Sequence, residues 1–201
     1  MSWLSEPAQQ IPIVANKDVV VSGGGLTGVM AAVAAARAGA STLLIESGGY
    51  LGGVVAMGLP IQGYFDREGR QIAQGLAQEF VERLRAKGGA YHRFIDCELH
   101  NAFLIVDPET AKLVCQEMVQ EASVELYLHT LVTAVHDEEG RLRALIVENK
   151  SGREAIASTF FVDTSGDGDL AARCGAPFTV GREEDGLTQS ATLTFRLDGV
   201  D

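Results

Sequence analysis

An α/β fold built on a parallel sheet is predicted by three features of the 201-residue chain. Two short aliphatic runs, Val19 to Val21 and Thr42 to Ile45, flank an alanine-rich segment of helical length. Glycines at 23, 25 and 28 punctuate the passage from the first run into that segment. Farther on, Leu131 to Val162 holds three apolar runs separated by tight turns, the pattern of an antiparallel meander.

Met1 to Asn16 carries Pro7 and Pro12 among polar residues and reads as an extended lead-in along the surface. Residues 17–201 then form one domain, with an inserted helical segment over about 57–107. The β-branched run after Asp18 suits a buried parallel strand. Gly23 permits the tight turn that follows, Gly25 leaves no side chain between the backbone and a pyrophosphate, and Gly28 lets the helix pack close to the strand. The helix from Leu26 to about Ala38, stopped by Gly39, presents unpaired N–H groups and the positive end of its dipole to an anion.

The next strand, Thr42 to Glu46, returns the chain to the level of the glycine turn, because about 20 Å of helix is matched by about 17 Å of strand. A carboxylate there accepts the ribose hydroxyls of an adenosine and repels a 2′-phosphate, which favours NAD or FAD over NADP. Strand, glycine turn, helix and acid at this spacing predict a Rossmann-like dinucleotide-binding unit.

Ser47 to Gly53 reads either as a flexible connector or as a second backbone surface along the cofactor. Met57 to Arg70 is expected to be a structured loop, and the spacing of Ile72, Leu76, Phe80, Val81 and Leu84 predicts a helix over Gln71 to Lys87. Tyr91 to His100 reads as a polar loop. Its His92, Asp96, Cys97 and His100 match no zinc spacing, so no metal site is expected; His92, Arg93 and His100 remain substrate-side candidates. Asp107 and Pro108 open a helix to about Ala122.

Val124 to Leu128 is expected as a strand, followed by the meander with turns at Glu138 to Gly140 and at Ser151-Gly152. Its last strand feeds Phe160 to Val162 back into the parallel sheet and ends at Asp163-Thr-Ser-Gly-Asp-Gly-Asp169. Small residues at that strand end let a ligand approach backbone. A calcium loop is the alternative for the alternating aspartates, but it lacks the glutamate at the twelfth position.

The formal charge of −11 argues against nucleic-acid or anionic-membrane partners. No basic n-region precedes an apolar core and no apolar run is long enough to span a bilayer, so a cytoplasmic protein is expected. Cys97, Cys115 and Cys174 are scattered and odd in number, which suits reduced thiols without a Cys-x-x-Cys relay.

Val19 to Glu46, the meander and the Asp163 to Ala171 run together resemble the FAD-dependent oxidoreductases with a glutathione-reductase-type FAD domain, akin to the fumarate reductase flavoproteins. The resemblance implies a three-layer FAD/NAD(P)-binding fold with FAD as cofactor. It implies that Gly23, Gly25 and Gly28, with Leu26 and Thr27, hold the pyrophosphate. Glu46 would meet the adenosine ribose and Val132 the adenine through its backbone, with Ser47 also among the cofactor-binding residues. Thr164, Ser165 and Gly166 would supply a second backbone contact, with Gly52 and Gly53 on the flavin side. No catalytic residue is assigned.

Family members continue into a substrate-capping domain and a C-terminal Gly-Asp segment, and Asp201 precedes both, so the chain is expected to be the N-terminal portion of a flavoenzyme. Gln189 to Leu197 would be a strand leading onward, and exposed apolar surface would favour self-association. The expected function is hydride transfer between a small-molecule substrate and FAD. The alternatives are a non-catalytic dinucleotide-binding fragment and a NAD-dependent dehydrogenase.

Overall fold

The computed structural model describes residues 2–4, 7–99, 101–193, 195, 197 and 199. The chain opens with β1 (Ile13–Ser22), α1 (Leu26–Arg37) and β2 (Thr42–Ile45), a parallel pair joined by a crossover helix. The helix ends as Gly39 allows: at φ 94° it donates to Ala36 O, and Ala40 donates to Ala35 O, a Schellman closure. β1 begins earlier than the Val19 to Val21 run because its partner is long. Ile13, Ala15 and Asn16 already pair with Ala155, Ile156 and Ala157, so the last residues of the expected lead-in belong to the sheet.

The segment that follows departs from the expected helical insertion. After α2 (Gly53–Ala56) come β3 (Ile61–Gln62), α3 (Leu76–Ala86), β4 (Ile95–Cys97) and β5 (Asn101–Leu104). The three strands form a separate antiparallel sheet with β5 in the centre, where loops had been expected. Strands of two to four residues are too short for a period of two to be read. The helix starts at Leu76 rather than Gln71, because Ile72 pairs its N–H with Tyr64 O and Gly75 takes φ 63°. Ile72 is therefore exposed instead of lying on the buried face.

α4 (Pro108–Glu121) begins where expected, with the Asp107 carboxylate accepting the Thr110 N–H at 2.7 Å. Next come β6 (Glu125–Tyr127), β7 (Leu131–Glu138), β8 (Arg141–Asn149), β9 (Gly152–Asp163) and α5 (Asp169–Arg173). Glu139 and Gly140, at φ 54° and 76°, make the two-residue turn of the first hairpin, whose strands twist correctly only with positive φ at both positions. The six-stranded sheet runs β6-β2-β1-β9-β8-β7, parallel through β9 and antiparallel beyond it. The meander is thus continuous with the parallel sheet through β9. Residues 187–193 take no regular structure, against the expected strand there; Thr194 and Arg196 lie outside the described residues.

Alternation across the strands divides the core in two. Val21 and Leu44 face Val29, Val33, Phe80, Leu84, Val114 and Met118 of the helical layer. Their neighbours Val20, Leu43 and Ile45 face Leu145, Val147, Ile156 and Leu170, the meander and α5. Each fully buried Leu or Val contributes about 1.5–3 kcal/mol. The central strands are consequently covered on both faces, and their carboxyl ends are left as the place where a ligand can reach them.

Candidate dinucleotide-binding site

At the carboxyl ends of β1, β2 and β9 lies a cleft of about 400 Å³. Gly23, Gly25, Leu26, Thr27, Glu46, Ser47, Gly52, Gly53, Val132, Thr164, Ser165 and Gly166 all line it. Gly28, the remaining sequence candidate, does not. It is buried beneath the turn, where a Cβ would collide with the Gly23 carbonyl oxygen and come 2.8 Å from Thr164 Oγ1. Its task is the close packing of helix on strand, and pyrophosphate contact through Gly28 is not supported by this placement.

Gly23 takes φ 108°, and a Cβ on it would strike the Thr164 carbonyl. Thr164 clamps that turn, donating its hydroxyl to Ser22 O at 2.9 Å and Gly23 O at 2.8 Å, and its N–H to Ser22 O at 2.9 Å. Its side chain is therefore spent on the protein. Gly25 caps α1 without any side-chain hydrogen bond, so no side chain closes the start of the helix where it borders the cleft. Across from it the chain approaches backbone to backbone: Gly52 N donates to Gly24 O at 2.9 Å, and a Cβ on Gly53 would lie 3.0 Å from Gly25 Cα. The Ser47 to Gly53 loop thus packs its backbone on the glycine turn and lines the cleft with Ser47, Gly52 and Gly53, and Gly52, at φ 106°, turns it into α2.

Glu46 is held more firmly than its sequence position indicates. Oε2 accepts the Gly24 N–H at 2.6 Å, and Oε1 accepts the Gly48 N–H at 2.6 Å and the Ser47 hydroxyl at 3.2 Å. Two carboxylate oxygens offer about four acceptor sites, so capacity for a further hydroxyl remains.

The far wall is organised by Asp163. Its Oδ1 accepts from Ser165 N at 3.1 Å and Ser165 Oγ at 2.7 Å, and its Oδ2 from Leu170 N at 2.9 Å and Ala171 N at 3.0 Å. Burial pushes this carboxyl upward, but the donors from Ala171, Ser165 and Leu170 outweigh burial and hold it below the usual carboxylate range. Four donors at these distances leave no role for a calcium ion on Asp163.

Sequence reasoning missed Ser22, Ile45, Val54, Val55, Thr130, Leu131 and Asp169, which also line the cleft. Most sit one residue from a predicted contact, so adjacency was the available signal; Thr130 carried none. Of the substrate-side candidates, His92 and Arg93 are exposed outside the cleft, and His100 lies outside the described residues. Among the described residues no three His, Cys, Asp or Glu side chains converge as a metal site, and no helix is long and apolar enough to cross a membrane.

The profile of the FAD dependent oxidoreductase family matches residues 18–201. The chain belongs to that family. FAD dependence is accordingly the property its members share, and the glycine turn, the acid and the meander are parts of a flavoprotein fold. Solved structures agree on the fold. A geranylgeranyl bacteriochlorophyll reductase-like protein from Thermoplasma acidophilum is 17% identical with a TM-score of 0.56 over 80% of this chain and 42% of its own. The open form of a flavocytochrome c3 fumarate reductase is 14% identical, with a TM-score of 0.56 over 75% of this chain and 34% of its own. THI4 from Thermovibrio ammonificans is 18% identical, TM-score 0.56, over 84% of this chain and 67% of its own. The chain thus spans less than half the length of the first two. No curated protein matches the sequence.

Proposed function

We propose that the chain binds FAD in the cleft at the carboxyl ends of β1, β2 and β9, and that it serves hydride transfer between that cofactor and a small-molecule substrate. The observation that carries the reading is the uncapped N-terminus of α1 facing a cradle made only of backbone, with Gly23 and Gly25 on one side and Gly52 and Gly53 on the other. An anion with two phosphates suits such a cradle, which offers amide donors and a positive dipole end without a basic side chain. A side chain at Gly25 or Gly53 would stand in the gap between the two turns, so the shape there fits the cofactor of the family.

In this reading Gly25, Leu26 and Thr27 donate backbone N–H groups to the pyrophosphate, while Gly28 only packs the helix. Glu46, with Ser47 beside it, accepts from the adenosine ribose. Val132 meets the adenine through its backbone, Thr164 to Gly166 form the opposite wall, and Gly52 and Gly53 lie toward the flavin. FAD, when bound, supplies the hydride-accepting chemistry, and the protein supplies position and the exclusion of water. A NAD-dependent dehydrogenase would leave the wall from Thr164 to Gly166 without a task. The three free cysteines support a reducing compartment such as the cytoplasm. Parallel titrations with FAD and NAD test the reading: tight FAD binding with weak NAD binding is expected, and a preference for NAD would overturn it.

A further inference from the structure

We infer that His129 is a positioning residue for the adenosine end of the cleft, acting on Glu46 through the Gly48-Gly49 turn; this rests on the proposed role of Glu46. The carboxylate is aimed by two amides, and they have different support. Gly24 belongs to the turn between β1 and α1, clamped by Thr164. Gly48 sits in a stretch with no helix or strand.

That stretch is fastened to the segment between β6 and β7 by a short ladder. Glu46 N donates to Tyr127 O at 2.8 Å, Thr130 N donates to Glu46 O at 3.0 Å, and His129 N donates to Gly48 O at 3.0 Å. His129 takes φ 50°, which turns its N–H toward the loop. Histidine is among the few non-glycine residues that tolerate this region. Thr130, 2% exposed, donates its hydroxyl to Leu128 O at 3.0 Å and fixes the turn from inside.

The imidazole completes the latch by lying against Gly49. A Cβ at that position would come 2.7 Å from His129 Cε1 and 2.9 Å from Nε2. Gly49 itself does not take a left-handed φ, so what a side chain there would meet is the exposed His129 ring and not the backbone. The ring therefore sets the height of the loop that carries the Gly48 donor, and through it the direction in which the Glu46 oxygens face.

The test is a pair of double-mutant cycles on the 201-residue chain, read by FAD dissociation constant and by unfolding midpoint without cofactor. Gly49→Ala is expected to weaken FAD about three- to tenfold, as for one displaced hydrogen bond. His129→Asn, which keeps the left-handed preference and removes the ring, is expected to weaken it similarly and to make Gly49→Ala nearly silent in combination. Neither substitution is expected to weaken FAD further once Glu46→Gln is present, because both act through that carboxylate. Unfolding midpoints should stay near that of the unaltered chain. Independent, multiplying effects of Gly49→Ala and His129→Asn would overturn the inference, as would lowered midpoints with unchanged FAD affinity. If Glu46→Gln alone leaves FAD affinity unchanged, the underlying role of Glu46 fails instead.

Discussion

Glu46 Oε2 accepts the Gly24 N–H at 2.6 Å, so the end of β2 is tied directly to the glycine turn that leads into α1. The acid therefore serves the protein before any ligand arrives. Glu46→Gln keeps the size of the side chain but turns one acceptor into a donor. It is expected to weaken FAD binding by about 1.5 to 3 kcal/mol. Titration followed by flavin fluorescence checks this, and an unchanged dissociation constant would remove Glu46 from the ribose.

Gly28→Ala tests the packing under the turn. The added methyl would meet Gly23 O and Thr164 Oγ1 at once, and both belong to the clamp between β1 and β9. A loss of about 1 to 3 kcal/mol in urea unfolding is expected, the usual cost of overpacking. Unaltered stability would show that the helix can move away from the strand.

Asp163→Asn tests the far wall. The substituted amide nitrogen would face the Leu170 and Ala171 N–H groups in place of Oδ2. Stability should fall by about 2 to 3 kcal/mol, as charge-assisted bonds to these amides are replaced by donor facing donor. FAD affinity should fall with it, because Ser165 and Gly166 are positioned from the same loop. Wild-type values for both would separate Asp163 from the cleft.

Much of the site was legible because the chemistry of a strand, a turn and a helix N-terminus fixes residue type at fixed spacing. Gly23, Gly25 and Glu46 could be placed by counting, and the meander by its turns. What failed to show was whatever depends on contacts distant in sequence. For Gly28 the spacing already indicated helix-on-strand packing, and it was the family resemblance that added a pyrophosphate contact; its place beneath Gly23 and against Thr164 supports the packing task. Thr164 is spent on Ser22 and Gly23, 142 and 141 residues away. The small sheet of β3, β4 and β5 escaped because its strands are shorter than the pattern that reveals one. The helix expected from Gln71 began at Leu76 because Ile72 found a backbone partner in Tyr64.

The helical layer should be acid-sensitive at one point. Glu79 accepts two bonds from Arg37, at 2.7 and 2.8 Å, and one from Arg83 at 3.0 Å, joining α1 to α3. Hydrogen bonding to Arg37, with Arg83 adding to it against the opposing effect of burial, lowers its pKa from 4.5 to about 2. A depressed folded value means that the stabilisation is complete above pH 4.5 and is lost as pH falls toward 2. Glu79→Gln should therefore lower the unfolding midpoint at pH 7 and narrow its gap to the wild type as the solution is acidified. A gap that stays constant with pH would contradict the assignment.

The central claim is that backbone at the start of α1 holds a pyrophosphate, and Gly25→Val reaches it most directly. Gly25 has φ −65° and ψ 177°, which any residue adopts, and a Cβ there would meet only Gly53 Cα, at 4.0 Å. Valine should therefore leave the fold intact while occupying the cradle. FAD content and titration, measured beside circular dichroism on the same preparation, give the answer. The expected result is a folded chain that has lost FAD binding; a folded Gly25→Val chain that binds FAD as tightly as the wild type would contradict it.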